Sequence, residues 1–213
     1  MILPSSSRKY FFHIATDDYV EVDFRSSDTV TLLVHGSFTL IFEKAPSFEA
    51  LSEKLSALLG KQPELPDWIY DGMIFGIQQG SKTIEEKLRT LDRYKIPVSG
   101  VWAQDWCGCR RTQFGYQVMW NWQADDTLYP ALASAIGAWK NRGIRFLGYV
   151  NPFLALEKGL YKTAHENGWC VKNSRGEDYL VTITTFPAAM IDLTNPDAYS
   201  WYKSVIKDRK SVV

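Results

Sequence analysis

Histidine and cysteine are scarce in this 213-residue sequence, with three of each, and no glycine-rich phosphate fingerprint follows any strand-like run. The histidines, His13, His35 and His165, are scattered and none stands beside a motif-like Ser or Cys, so a catalytic histidine is not expected. Cys107-Gly108-Cys109 and the distant Cys170 lack the further ligands that a tetrahedral metal site needs, so no metal is expected. An odd, sparse cysteine count argues for a reducing compartment, and the expected location is cytoplasmic. The absence of GxGxxG after a strand weighs against a dinucleotide cofactor, and none is expected. Charge of one sign is also missing: Lys plus Arg is 24 and Asp plus Glu is 24. With no net basic field, neither nucleic acid nor an anionic membrane is an expected partner. No apolar run approaches the ~20 residues of a membrane helix. Met1 to Ser7 carries no long apolar segment of the secretory type.

What is present is hydrophobic residues at 46%, an ordinary globular share, and an unusual concentration of indoles. Four of the eight tryptophans, Trp102, Trp106, Trp120 and Trp122, fall in one short stretch, which directs the search for function there.

The first forty-odd residues read as β structure. Tyr10–Ile14 is a short apolar run, and Tyr19–Phe24 alternates apolar with acidic residues. Thr29–Val34 and Phe38–Phe42, joined by His35-Gly36-Ser37, predict a hairpin. A helix follows, with Ser47 as N-cap and Leu51, Leu55, Leu58 and Leu59 on one face. Gln62-Pro63-Glu64-Leu65-Pro66 is a linker that no helix continues through.

Beyond the linker, strand and helix alternate. Met73–Ile77, Val98–Trp102 and Ile144–Val150 are apolar throughout, and Lys82–Tyr94 and Tyr129–Lys140 are helical. Leu160–Glu166 and Asp197–Lys207 add helices, and Tyr179–Ile183 and Ala188–Leu193 are further strand candidates. Such alternation predicts an α/β fold with a parallel sheet covered on both faces, either doubly wound or a (β/α)₈ barrel. Only three or four β/α units are present, so a barrel would be partial.

Polar residues gather after each predicted strand: Gln78-Gln79-Gly80, Gln104-Asp105-Trp106 and Asn151-Pro152-Phe153. Ligands of parallel α/β folds bind at the carboxyl ends of the strands. Amides donate and accept, which suits sugar hydroxyls, and indole faces suit the C–H side of a pyranose. A carbohydrate site is therefore expected. Trp102 and Trp122 read as core, whereas Trp106 and Trp120, flanked by polar residues, read as ligand-facing. Arg110-Arg111 reads as a solvated pair that could otherwise meet an anion. Asp105 is a carboxylate without an identifiable partner, and glycoside hydrolysis needs two.

The strings Pro66-Asp67-Trp68-Ile69-Tyr70, Gly76-Ile77-Gln78, Trp102-Ala103-Gln104-Asp105-Trp106, Val118-Met119-Trp120-Asn121-Trp122, Gly148-Tyr149-Val150-Asn151-Pro152 and Asp192-Leu193-Thr194-Asn195-Pro196 resemble the sulfoquinovosidase branch of glycoside hydrolase family 31. The resemblance implies residues 1–45 as the end of an N-terminal β-sandwich, 46–66 as helix and linker, and 67–213 as the first part of a (β/α)₈ TIM barrel. It implies a retaining α-glycosidase acting on an α-glucoside or sulfoquinovoside, with a carbohydrate as partner. It carries substrate contacts onto Gln78, Gln104 and Trp120, while the family's arginine three residues before that tryptophan is Gln117 here. Both catalytic aspartates are expected beyond Val213, past a terminal stretch, Asp208–Val213, unlike the family. The chain is thus expected to be an inactive fragment, or a carbohydrate-binding remnant without chemistry.

Overall fold

Short alternating segments early in the chain become two antiparallel pairs in the computed structural model, which describes residues 9–209. The expectations drawn from Met1–Ser7 and from the closing Lys210–Val213 fall on residues outside that range. Strand β1 (Tyr10–Ala15) pairs with β4 (Thr39–Lys44), from Tyr10↔Lys44 to Ala15↔Thr39. Strand β2 (Val20–Asp23) pairs with β3 (Thr31–Val34). The hairpin expected across His35-Gly36-Ser37 is therefore not formed; β3 folds back on β2, and β4 crosses to β1. The turn instead lies against the residues just before β2. A Cβ on Gly36 would lie 1.8 Å from an Asp18 carboxylate oxygen, and the His35 N–H donates to the Tyr19 carbonyl at 3.2 Å, prolonging the β2–β3 ladder.

Helix α1 (Phe48–Leu59) is capped as its sequence suggests, the Ser47 hydroxyl accepting from the Ala50 N–H at 3.2 Å. Its apolar face is narrower than the leucine spacing implies. Leu51 is buried with Phe11 and Ala45 and Leu55 is half-buried, but Leu58 and Leu59 are exposed. The chain divides into two units, the first ending at Glu64 and the second starting at Leu65.

The second unit opens on a short 3₁₀ turn, Asp67–Tyr70, and then alternates β5 (Met73–Ile77), α2 (Gly80–Arg93) and β6 (Val98–Ala103). A hairpin follows, β7 (Cys109–Thr112) with β8 (Gly115–Val118), and then α3 (Leu132–Asn141) and β9 (Arg145–Gly148). Strands β5, β6 and β9 form one parallel sheet in chain order, with Ile77 opposite Ala103 and Ala103 opposite Gly148. Helices α2 and α3 cover one face, where Ile84, Leu88 and Trp139 bury against Val101, Ala103 and Phe146. Trp139 stacks on Phe146 with centroids 5.7 Å apart.

The expectation that both faces are covered is not met among the described residues. Ile74 and Trp102 remain well exposed on the opposite face, because alternate residues of a strand point to opposite sides. Gly76 and Gly100 sit beneath Trp102 and Leu147 on that face, and a Cβ at either would approach them to 3.1–3.2 Å. The sheet does not close into a barrel among the described residues.

After β9 the chain makes a second excursion through β10 (Phe153–Ala155), α4 (Gly159–Glu166), β11 (Leu180–Ile183) and β12 (Phe186–Met190), and ends on α5 (Pro196–Arg209). The strands expected over Tyr179–Ile183 and Ala188–Leu193 exist in shifted form, but they are not parallel barrel strands. They join β10 in an antiparallel sheet of order β10-β12-β11. Only two residues separate β11 from β12, and Thr184 takes a positive φ of 52°, a reversal that only antiparallel pairing permits. Asn195 caps α5, accepting from the Asp197 and Ala198 N–H groups, and Pro196 stands at the first helical position, where its missing N–H costs nothing. No helix of the described residues is long and apolar enough to cross a membrane.

The segment between α4 and β11 is fastened by one carboxylate. Asp178 accepts from the Tyr161 hydroxyl (3.1 Å) and Lys172 Nζ (2.5 Å), and meets His165 Nδ1 at 2.6 Å. Burial pushes its carboxyl up, but the hydrogen bonds from Lys172, His165 and Tyr161 prevail and hold it below the ordinary carboxylate range. A depressed folded-state pKa contributes stability above the unfolded value that disappears as pH falls through the folded one. Asp178→Asn is expected to cost about 1–3 kcal/mol near neutrality. That cost should shrink progressively below about pH 4. Urea titrations of both chains across pH 3–7 check it; a pH-independent difference would contradict the assignment.

Candidate functional site

Parallel register decides which polar residues meet. Since Ile77 stands opposite Ala103, the next residues, Gln78 and Gln104, leave the same end of the sheet side by side. The Gln78 amide donates to Gln104 Oε1 at 2.8 Å. Together with Gly76, Ile77 and Trp102 they line an open cleft of about 400 Å³. This single bond leaves an N–H and the carbonyl of Gln78, and the whole NH₂ of Gln104, for a ligand. Trp102, 39% exposed, offers an indole beside them and meets the Tyr149 ring edge-on at 6.4 Å.

One residue further along, beyond the ends of β5 and β6, lies a clamp. Asp105 Oδ2 accepts from the Gln79 N–H at 2.7 Å, and Oδ1 accepts from the Tyr129 hydroxyl. Burial, reinforced by Asp105, drives the Tyr129 phenol far above its usual range, so it remains a donor. Asp105 itself is 2% exposed and does not line the cleft. Buried and hydrogen-bonded through both oxygens, it is not presented to the cleft.

The tryptophans exchange two of the roles read for them. Trp106, expected to face a ligand, is 1% exposed, with its indole over Gly148 and its N–H donating to the Tyr149 carbonyl at 2.8 Å. Trp102, expected as core, faces the cleft. Polar neighbours misled for Trp106, because the tight Asp105–Gly108 turn folds its ring back across the sheet. For Trp102 the strand alternation that buries Val101 and Ala103 requires the opposite side. Trp122 is buried as read and donates to the Phe153 carbonyl at 2.9 Å.

Gln117 lies on β8 and Trp120 in the loop just beyond it, and neither is among the cleft-lining residues. Gln117 is on β8, the cross-strand partner of Arg110 on β7. Trp120, 8% exposed, stacks on Phe153 at 5.1 Å and leans on Phe186 at 5.6 Å, and among the described residues its indole N–H has no partner. Arg110 is not a solvated loop residue: it pairs with Glu157 at 2.7 Å and lies 4.1 Å over the Phe186 ring. Arg111 is exposed, 6.0 Å from the Tyr116 ring. Nothing in the sequence signalled Glu157 or Tyr129. The alternation within Val98–Ala103 carried the signal for Trp102.

The three cysteines are unpaired, and burial pushes the thiols of Cys107 and Cys170 up to about 11. Among the described residues no group of three His, Cys, Asp or Glu could hold a metal ion.

The family model for the glycosyl hydrolases family 31 TIM-barrel domain matches residues 62–212. The sulfoquinovosidase of Escherichia coli K12 is 46% identical over 203 residues, covering 95% of this chain and 30% of that protein. The sulfoquinovosidase of Agrobacterium fabrum is 39% identical over 204 residues, covering 94% and 30%. Among solved structures, a GH31 family sulfoquinovosidase from E. rectale, in complex with an aza-sugar inhibitor, superposes with a TM-score of 0.85 at 40% identity, covering 94% of this chain and 30% of that one. The chain thus spans about a third of the length of the relatives it matches. A match across residues 62–212, with amides at adjoining parallel strand ends, places the chain in glycoside hydrolase family 31, where it resembles the sulfoquinovosidases.

Proposed function

We propose that this chain supplies a sugar-contacting surface of a retaining α-glycosidase, with Gln78 and Gln104 hydrogen-bonding the hydroxyls of an α-glycoside. The observation that carries the reading is the Gln78–Gln104 contact at the ends of two parallel strands, beside an exposed indole. Gln117 and Trp120 are proposed as further contacts from the neighbouring hairpin. Residues 1–45 are proposed as the end of a β-sandwich, 46–66 as helix and linker, and 67–213 as the opening of the barrel. The unpaired cysteines favour a cytoplasmic setting.

Hydrolysis in such an enzyme runs through a glycosyl-enzyme ester and needs two carboxylates about 5–5.5 Å apart. The motifs matched here supply neither, and Asp105 is committed to the clamp. The 213-residue chain is therefore expected to bind sugar without turning it over.

Selectivity rests on Gln117. A neutral amide offers no charge to a sulfonate, and the nearby Arg110 is already neutralised by Glu157. Calorimetric titration should show methyl α-D-glucopyranoside binding at least as tightly as methyl α-sulfoquinovoside. Gln78→Ala or Gln104→Ala should weaken both about tenfold, and Gln117→Arg should strengthen only the sulfonate, about ten- to a hundredfold. Clear preference for the sulfoquinovoside by the unsubstituted chain would refute the selectivity; unchanged binding after both glutamine substitutions would refute the site.

A further inference from the structure

A buried carboxyl is costly unless hydrogen bonds replace its water, and Asp105 has two neutral partners. Those partners belong to different elements. Gln79 is the N-cap of α2, and its φ of 79° is a left-handed conformation that residues other than glycine seldom adopt. Tyr129 lies just before α3. The strand-to-helix turn after β5 is thus held in an unfavourable conformation by a group that projects from the end of β6. One residue before each half of this clamp stand Gln78 and Gln104, whose amides meet at 2.8 Å.

We infer that Asp105 is a positioning residue, which sets the Gln78–Gln104 amide pair by gripping the Gln79 N–H while Tyr129 holds its other oxygen. The geometry is a two-rung ladder. The outer rung is the side-chain pair that faces the cleft, and the inner rung is the backbone-to-carboxyl bond that fixes the spacing between the segments following β5 and β6. Without the inner rung the Gln79 backbone is free to leave its left-handed conformation, which rotates the preceding Gln78 away from Gln104. What the clamp requires of residue 105 is an acceptor at Oδ2, not a negative charge. Asparagine can supply that acceptor, and its NH₂ can donate to the Tyr129 oxygen instead. A carboxylate that attacked or protonated a substrate would not survive that change.

The inference rests on the cleft being the sugar site, so its test has one readout that does not involve sugar. In ¹⁵N-labelled chain the side-chain amide signals of Gln78 and Gln104 are identified by their loss in Gln78→Ala and Gln104→Ala. Affinity for methyl α-D-glucopyranoside is measured in parallel. Asp105→Ala is expected to move the Gln78 signal to the position of a free glutamine and to weaken binding about tenfold. Asp105→Asn is expected to retain both within about twofold, and Tyr129→Phe to shift the Gln78 signal part of the way. Unmoved amide signals in Asp105→Ala, or an Asp105→Asn as damaged as Asp105→Ala, would overturn the assignment. If Asp105→Ala does not fold, Tyr129→Phe and Asp105→Asn decide, and an unmoved Gln78 signal in Tyr129→Phe overturns it. A chain that binds no glucoside yet shows these amide shifts would sink the sugar-site reading and leave the clamp standing.

Discussion

Gly80→Ala is expected to destabilise the second unit by about 2–5 kcal/mol, from a left-handed backbone costing about 1–2 kcal/mol and overpacking of about 1–3 kcal/mol. Gly80 has φ of 88°, and a Cβ built on it lies 2.4 Å from the Leu128 carbonyl oxygen and 3.1 Å from its carbon. Both are backbone atoms and cannot swing aside. They are also anchored, since the Ser81 N–H donates to that same carbonyl at 3.0 Å, and Asp125 holds the Leu128 N–H at 2.9 Å. The clash would be relieved only by separating the start of α2 from the segment that carries Tyr129. Thermal unfolding should show a midpoint lowered by on the order of 10 °C for a domain of this size. A loss below about 1 kcal/mol in urea unfolding would mean that the Leu128 segment yields more readily than its hydrogen bonds indicate.

Trp106→Ala should be as severe, at about 3–5 kcal/mol, the range for emptying a large buried aromatic site. Its ring packs on the Gly148 backbone, leaving no side chain there that could move in to fill the space, and the Tyr149 carbonyl loses the indole N–H. Trp106→Phe keeps much of the volume and loses the donor, so an intermediate cost is expected. This substitution also separates the two readings of the residue. A ligand-facing indole would leave urea stability within about 0.5 kcal/mol and weaken sugar binding instead. Trp102→Ala is the control with the opposite expectation, since that ring is partly exposed beside Gln78 and Gln104.

Local chemistry alone reached far. Ser47 as a cap, the prolines of Gln62–Pro66 as a break, and the apolar runs at Met73–Ile77 and Val98–Trp102 as parallel neighbours are all legible in short windows, because capping, ring closure at proline and burial on one strand face act within a few residues. The motif strings at the strand ends were legible for the same reason: parallel strands in register deliver whatever follows them to one edge. Gln78 and Gln104 do meet at that edge, whereas Gln117 and Trp120, expected in the same pocket, are not among the residues that line it.

Pairing was another matter. A turn such as His35-Gly36-Ser37 marks where the chain bends, not what it lies against, and β4 pairs with β1 rather than with the preceding β3, a partner outside any local window. The antiparallel sheet β10-β12-β11 replaced the expected barrel strands in the same way, because an apolar strand has no preferred partner until a tertiary contact fixes one. The partners of Asp105 and Arg110 belong to this second class. Tyr129 and Glu157 reach them from segments distant in sequence, and a side chain's residue type does not specify which distant group will share its proton or its charge. The amino-acid sequence therefore determined the elements, the breaks and the polar strand ends, since their causes are short-range. Only the tertiary structure decided which indole is buried and which carboxyl is a clamp, because those outcomes depend on where the rest of the chain comes to lie.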